Sequence, residues 1–161
     1  MLSVTTLANE LNKIEPAGDE LQAASAWADA FLIYLSDAAG GVIPAVKPAI
    51  TNLKSLMVTA LLGMSIPVIG PLQIQKGIIA VWTALIPMTS AVFPGTIPPL
   101  TPPLGNAGIS VALLGAAATN VIGNLPRKEA AANLAAAIHA TQIAGGLVTL
   151  IGPPPVTAPI L

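Results

Sequence analysis

The amino-acid sequence predicts an all-α protein: a compact bundle of five to six short helices with proline-rich loops and an extended proline-rich C-terminal tail. Apolar residues recur at helical spacing in six segments, and no segment shows a convincing strand pattern. Glycine and proline separate the segments. Small side chains line the helices and no heptad pattern persists for three repeats, which favours a bundle over a long coiled coil. We expect one helical domain over residues 1–152 and the tail over residues 153–161.

The first two predicted helices contain most of the acidic residues of the chain. The first covers residues 3–14, with Ser3 or Thr5 as its N-cap. The second begins after the N-cap Asp19 and ends before Gly40-Gly41. Because of their acidic residues, we expect both helices to face water on their outer sides. The predicted apolar faces are Leu7, Leu11 and Ile14 on the first helix, and Leu21, Ala24, Ala28, Phe31 and Leu35 on the second.

Prolines shape the prediction for the middle of the chain. A third helix is expected over residues 43–64, because its prolines lie near its start, where a missing N–H is tolerated. A fourth helix runs from Leu72 to about Leu85. Pro87 should end or kink it, since an interior proline costs roughly 3 kcal/mol. Residues 94–104 are expected to form an extended, polyproline-like loop.

Two alanine-rich helices complete the predicted bundle. The fifth helix covers residues 106–122, and the last begins at Arg127 and runs to about Gly145. Residues 147–151 are interpreted as extended, and the chain from Pro153 onward as a tail that has no means of folding alone. The predicted face of the last helix is Leu134, Ile138 and Thr141 or Gln142.

No charged residue occurs between Lys76 and Arg127. Hydrophobic residues make up 54% of the 161 residues and charged residues 8%, against roughly 25% charged in an ordinary soluble domain. So much apolar surface must be covered by the protein's own core, by another subunit or by lipid. We therefore expect an obligate oligomer, an assembly subunit or a membrane-active protein. The net charge of −1 and the lack of a basic tract argue against nucleic-acid binding.

No residue pattern predicts catalysis, a cofactor or a metal ion. The chain has no cysteine, which excludes disulfides, thiolate ligands and cysteine nucleophiles. His139 is the single histidine, and we interpret it as a hydrogen-bonding residue inside the bundle or at an interface. Asp19 and Glu20 are adjacent, so they point to different sides of a helix and make a poor acid/base pair. Ser36 and Ser110 have no histidine in a local constellation. We do not expect an enzyme.

A membrane-inserting protein is the alternative interpretation. Residues 104–125 are uncharged and long enough for a transmembrane helix of ~20 residues. Other apolar stretches are interrupted by prolines or carry several polar residues. Trp27, Tyr34 and Trp82 do not bracket any span, as interfacial aromatic residues usually do. The first six residues lack the positive and apolar regions of a signal peptide, so we do not expect one.

Four features occur in order along the chain: an acidic pair of N-terminal helices, the aromatic-bearing residues 77–85, a Pro-Pro loop leading to Gly105-Asn106-Ala107-Gly108, and an alanine-rich helix ending at residues 134–141. In this order the chain resembles small, apolar virion structural proteins of contractile-tailed bacteriophages. The resemblance implies a non-enzymatic subunit, present in several copies and held by other virion proteins, with no catalytic residue to transfer. We expect a position in the tail or baseplate of the particle rather than in its neck or capsid. Under the membrane alternative, the protein is integral in a membrane or a phage pore or ejection component.

The expected partners are a second copy of the chain and other virion structural proteins, with a membrane as partner only under the alternative. We expect Leu113→Asp or Ala116→Asp to abolish assembly, whereas Glu10→Gln should scarcely matter. Loops folded back onto the subunit's own core are an equally good interpretation of the loop and tail residues. The predicted contact residues are Ile97, Leu100, Leu104, Leu113, Ala116, Ile160 and Leu161.

Overall fold

The computed structural model describes residues 2–15, 18–37, 43–66, 69–92, 103–144, 147–150 and 156–159. The elements in these ranges are α1 Val4–Lys13, α2 Glu20–Ser36, α3 Ile43–Ile50, a first 3-10 helix Thr51–Leu53, α4 Lys54–Leu61, α5 Gly70–Val92, a second 3-10 helix Leu104–Gly108, α6 Ile109–Ile122, α7 Arg127–Ile143, β1 Leu147–Leu150 and β2 Val156–Pro159. All six predicted helical segments are present, and the all-α prediction is confirmed.

The first two helices begin where the sequence predicts. The Ser3 hydroxyl accepts a hydrogen bond from the backbone N–H of Thr6 at 3.1 Å. The Asp19 carboxylate accepts one from the backbone N–H of Gln22 at 2.7 Å. Each cap satisfies a backbone donor that the first turn of a helix leaves without a partner.

The core lies where the apolar faces of the helices meet. Its largest side chains are Trp82, Tyr34 and Phe31, each at most 2% exposed. The predicted stripe of α2 is buried from Ala24 onward, but Leu21 in its first turn is 60% exposed. Each of the helices that supply the core therefore has a buried stripe. The core residues contributed by α1, α3, the first 3-10 helix, α4 and α7 are Leu7, Leu11, Val46, Ile50, Leu53, Met57, Leu61, Ala131, Ala135 and Ile138.

Two prolines act differently from the prediction. The predicted third helix is divided, because the chain tightens to 3-10 geometry at Thr51–Leu53, within one turn of Pro48. The predicted fourth helix does not end near Leu85 but continues through Pro87 to Val92. The hydroxyl of the fully buried Thr89 donates to the carbonyl oxygen of Leu85, one turn back across the proline, at 3.0 Å. Pro87 has no N–H to donate to the carbonyl of Thr83, so the helix loses one backbone bond there, and its continuation to Val92 is supported by the burial of Leu85 and Thr89 in the core.

The C-terminal part contains a paired strand that the sequence did not predict. Strand β1 pairs with β2 in antiparallel register, with Leu147 opposite Pro159 and Leu150 opposite Val156. Residues 156–159 lie in the segment predicted as an extended tail, and the extended residues 147–150 supply them with hydrogen-bonding partners.

The neighbours of each helix decide how much of it is covered. Helix α5 packs against α3, α4 and α6, and α7 packs against α1 and α6. Helix α6 packs against α5, α7 and the second 3-10 helix. Among the described elements, none packs on the side of α6 away from these neighbours.

Candidate interaction surface on helix α6

Helix α6 exposes large apolar side chains to water. Val121 and Ile122 are 80% and 86% exposed, Val111 is 71% exposed and Leu114 is 45% exposed. A single exposed apolar residue is normal on a protein surface, but a contiguous group on one uncharged helix indicates an interaction site.

The spacing of these residues defines two faces of the helix. Ile109 and Leu113, one turn apart, are at most 2% exposed and form the inner face. The outer face consists of Val111, Leu114, Ala118, Val121 and Ile122, and all five of these residues are exposed. Both faces are apolar, which is why the helix lacks the usual polar side that turns toward water.

Hydrogen bonds hold α6 at both ends. At its start, the backbone N–H of Ser110 donates to Oε1 of Gln75 on α5 at 2.9 Å. Near its end, Asn120 accepts from Nδ2 of Asn133 on α7 at 2.9 Å and donates to the carbonyl oxygen of Ala130 at 3.2 Å. The outer face is therefore carried by a helix that its own chain holds in place, and needs no rearrangement to receive a partner.

The apolar surface continues from α6 onto α5. Leu72 and Ile79 are 42% and 37% exposed, and they lie one turn before and one turn after Gln75. Because Gln75 bonds to the start of α6, both residues lie near that end of the helix, with the exposed Lys76 on the same side of α5.

A buried polar network fixes the segment that leads into α6. Nε1 of Trp82 donates to Oε1 of Gln142 at 2.7 Å, and Nε2 of Gln142 donates to Oδ1 of Asn106 at 2.9 Å. Gly105 packs so closely on α7 that a Cβ there would meet the carbonyl oxygen of Thr141. The network joins α5, α7 and the second 3-10 helix, and each of its amide groups is hydrogen-bonded, as burial requires.

The predicted contact residues fall into three groups. Leu113 is 2% exposed because it belongs to the inner face, so it packs inside the subunit and is not available to a partner. Ala116 is half-buried on α6, and Leu104 begins the second 3-10 helix. The remaining four lie outside the described residues: Ile97, Leu100, Ile160 and Leu161.

The sequence analysis missed the residues of the outer face. A signal was present, since positions 111, 114, 118 and 121 repeat at the three-and-four spacing of a helix–helix seam. Positions 109, 113 and 116 fit a helical stripe equally well, so spacing alone could not decide which one faces out.

The titratable side chains form structural contacts. Oη of Tyr34 lies 2.9 Å from Nδ1 of His139. Burial raises the pKa of Tyr34 and lowers the pKa of His139, so both groups are neutral near pH 7. The predicted hydrogen-bonding role of the histidine agrees with this geometry.

Several charged groups elsewhere are paired at the surface or bonded to loops. The ammonium group of Lys54 lies 2.7 Å from Asp29, and the guanidinium of Arg127 lies 3.3 Å from Glu15. Hydrogen bonds from Ser65 and Gly63 lower the pKa of Glu20. Across the described ranges, no three His, Asp or Glu side chains come together as they would to hold a metal ion.

A groove between α1, α2 and α7 has a volume of about 250 Å³. Its walls are mostly apolar, and its one charged side chain, Arg127, is paired with Glu15 and also donates to the carbonyl oxygen of Ile14. Glu15 thus neutralises this guanidinium at the surface, and the described residues that line the groove include no serine, histidine or acid, so this groove does not displace the outer face of α6 as the candidate site.

Fold and surface together define a class of protein: a small helical bundle that carries one uncharged, uncovered helix face. Comparison with protein-family models, curated proteins and solved structures finds no match. Among the helices that the structure describes, residues 105–122 alone have the length and apolar content to cross a membrane, and 17% of that window is buried.

Proposed function

We propose that the protein is a non-enzymatic structural subunit of a phage virion, of the tail or baseplate, and that it acts by packing apolar surface in a homo-oligomer and against other virion proteins. One observation carries the proposal: the outer face of α6 leaves four large apolar side chains 45% to 86% exposed on a helix without charge. The virion setting is supported by the resemblance in segment order described above.

Energetics favours a covered outer face. Fully burying a valine, leucine or isoleucine side chain is worth about 1.5–3 kcal/mol. Four such side chains therefore supply several kcal/mol when a partner covers them. Association itself costs on the order of 4–15 kcal/mol, so the remaining apolar surface beside α6 must take part for the contact to persist.

The second candidate is a membrane-inserting protein, favoured by the apolar character of residues 105–122. Two observations make it the weaker candidate. The inner face of α6 is occupied by the bundle, and Asn120 is hydrogen-bonded to α7. Insertion would have to break these contacts.

The proposal is tested by the size of the purified protein in buffer without detergent, measured by light scattering at micromolar concentration. We expect the native chain to be oligomeric and Val121→Asp to be monomeric, because the new charge would be buried in the interface. Leu21→Asp is the matched control: it places the same charge at an exposed apolar residue of α2 and should leave the oligomer unchanged. A monomeric native chain would contradict the proposal.

The membrane candidate is tested by flotation with phosphatidylcholine vesicles. Protein that remains at the bottom of the gradient supports the assembly role. Protein that floats with the vesicles and resists carbonate extraction would replace the assembly role by membrane insertion.

A further inference from the structure

We propose that the partner on the outer face of α6 is α6 of a second copy, lying antiparallel across a two-fold axis that crosses the outer face at the level of residue 116. This inference rests on the proposed function, since it specifies the homo-oligomeric contact. It makes α6 a self-complementary surface.

The spacing of the outer face fits a partner helix. Val111, Leu114, Ala118 and Val121 follow one another at intervals of three, four and three residues, and all four residues are exposed. This is the a/d spacing of two packed helices, continued here over one and a half repeats. A seam of that kind meets another helix more completely than it meets a flat protein surface, because side chains of each helix enter the gaps of the other.

The order of side-chain sizes favours the antiparallel arrangement. With the axis at the level of residue 116, Val111 lies opposite Val121 of the second copy, and Leu114 lies opposite Ala118 of the second copy. Each leucine then fills the space left by an alanine on the facing helix. In a parallel pair, Leu114 would face Leu114 and Ala118 would face Ala118, so one layer would be crowded and the next would contain a gap.

Two-fold symmetry supports the same choice. An interface related by a two-fold axis uses the same patch on both subunits, and two-fold dimers are the commonest protein oligomers. No charged residue lies on α6, so pairing does not bury an ion. Antiparallel helices also bring the positive end of one helix dipole beside the negative end of the other.

The available area fits a pair of subunits. From their exposed fractions, the large apolar side chains of α6 together with Leu72 and Ile79 of α5 leave on the order of 600 Å² open, against about 800 Å² per partner in a standard interface. Helix α6 alone would fall well short of that area. The two α5 residues lie beside the start of α6, so they extend the same surface toward the end of the partner's helix.

Cysteine crosslinking tests the arrangement cleanly because the chain has no cysteine of its own. Val111→Cys and Val121→Cys are made separately; both replace residues that are at least 71% exposed, so both variants should fold. Each is oxidised alone and as an equal mixture after subunit exchange, and disulfide-linked dimer is measured on a non-reducing gel. We expect at least fivefold more linked dimer in the mixture than in either single variant. Ala132→Cys, an exposed position on α7, is the control and should not crosslink in either case.

The outcomes separate this inference from the function on which it rests. Strong crosslinking of each single variant with itself would indicate parallel helices and overturn the inference. An oligomeric protein in which no α6 pair crosslinks above the Ala132→Cys control would overturn it as well, and the assembly function would stand. A monomeric native chain would overturn both.

Discussion

Most of α5 and all of α6 come from the uncharged part of the sequence that follows Lys76, but the bundle places the two helices in different environments. On α5, Ile78 and Leu85 have no exposed surface and Trp82 is 1% exposed. On α6, Val121 and Ile122 are 80% and 86% exposed. Composition alone would assign both helices to the same core.

The difference comes from the number of neighbours. Helix α5 packs against α3, α4 and α6, whereas the described neighbours of α6 all lie on one side of it. An apolar helix face is stable only when it is covered. The Ile78, Trp82 and Leu85 face of α5 is covered within one subunit, and the outer face of α6 would be covered by another molecule.

Among the substitutions that test this difference between α5 and α6, Trp82→Ala is expected to lower the free energy of unfolding most. Removing a fully buried tryptophan costs about 3–5 kcal/mol, and the variant also leaves Oε1 of the buried Gln142 without its donor. Val111→Ala on α6 should change the unfolding free energy by no more than about 0.5 kcal/mol, as is usual at exposed sites, when both variants are made in the Val121→Asp background, where subunit association does not add to stability. Urea unfolding monitored by circular dichroism, at one protein concentration, measures both.

A loss below about 1 kcal/mol in Trp82→Ala would contradict the assignment of α5 as the centre of the core. Trp82→Phe is the control, because it keeps most of the packing and removes the hydrogen bond to Gln142.

The next prediction uses two adjacent leucines of α6. Leu113 is 2% exposed and Leu114 is 45% exposed. Leu113→Ala should cost about 2–5 kcal/mol, since it opens a cavity in the core, whereas Leu114→Ala should cost less than about 1 kcal/mol. The measurement is made in the Val121→Asp background, where subunit association does not add to stability. Equal losses would mean that the two faces of α6 are misassigned.

Local signals explain how much of the fold was predictable. Ser3 and Asp19 cap their helices through bonds to residues three positions away, so the sequence contains the whole interaction. The continuation of α5 past Pro87 was not predictable from propensity, because the burial of Leu85 and Thr89 on either side of the proline is set by the tertiary fold. Pairing of β1 with β2 likewise depends on two segments meeting in space.

The candidate site was predicted only as a region. The sequence identified the uncharged stretch and the need for a cover, but it selected Leu113 and Ala116 as contacts. Leu113 and Leu114 are chemically identical and adjacent, so no local rule tells which of them turns inward. The bond from Ser110 to Gln75 and the pairing of Asn120 with α7 set the rotation of the helix, and both are long-range contacts.

Replacing one glycine by alanine in each of the two helices is expected to give a smaller difference in stability. At Gly115 of α6, an added Cβ would meet no atom within 4 Å, so Gly115→Ala should stabilise the subunit by about 0.5–1 kcal/mol through helix propensity. At Gly77 of α5, the same Cβ would lie 3.3 Å from the side chain of Leu61 and 3.4 Å from that of Met57. Gly77→Ala should therefore gain less, or lose stability. Thermal unfolding in the Val121→Asp background compares the two, and a larger gain at Gly77 would contradict the difference in packing.

The smallest effect is expected from pH, and it should appear in the stability of the subunit but not in its association. Burial lowers the pKa of His139 below its ordinary value of 6.5. As the pH falls below that value, the unfolded chain binds a proton that the folded chain resists, so the unfolding free energy should decrease between pH 7.5 and pH 5.5. The contribution of His139 to stability is fully present above the ordinary pKa. His139→Gln keeps a side chain that can bond to Tyr34 but does not titrate, so its stability should vary less over this range.

Helix α6 carries no charge, so the oligomer should be as insensitive to added salt as to this change of pH. Dissociation of the oligomer in salt alone, measured by light scattering, would show that charged residues outside α6 carry the contact.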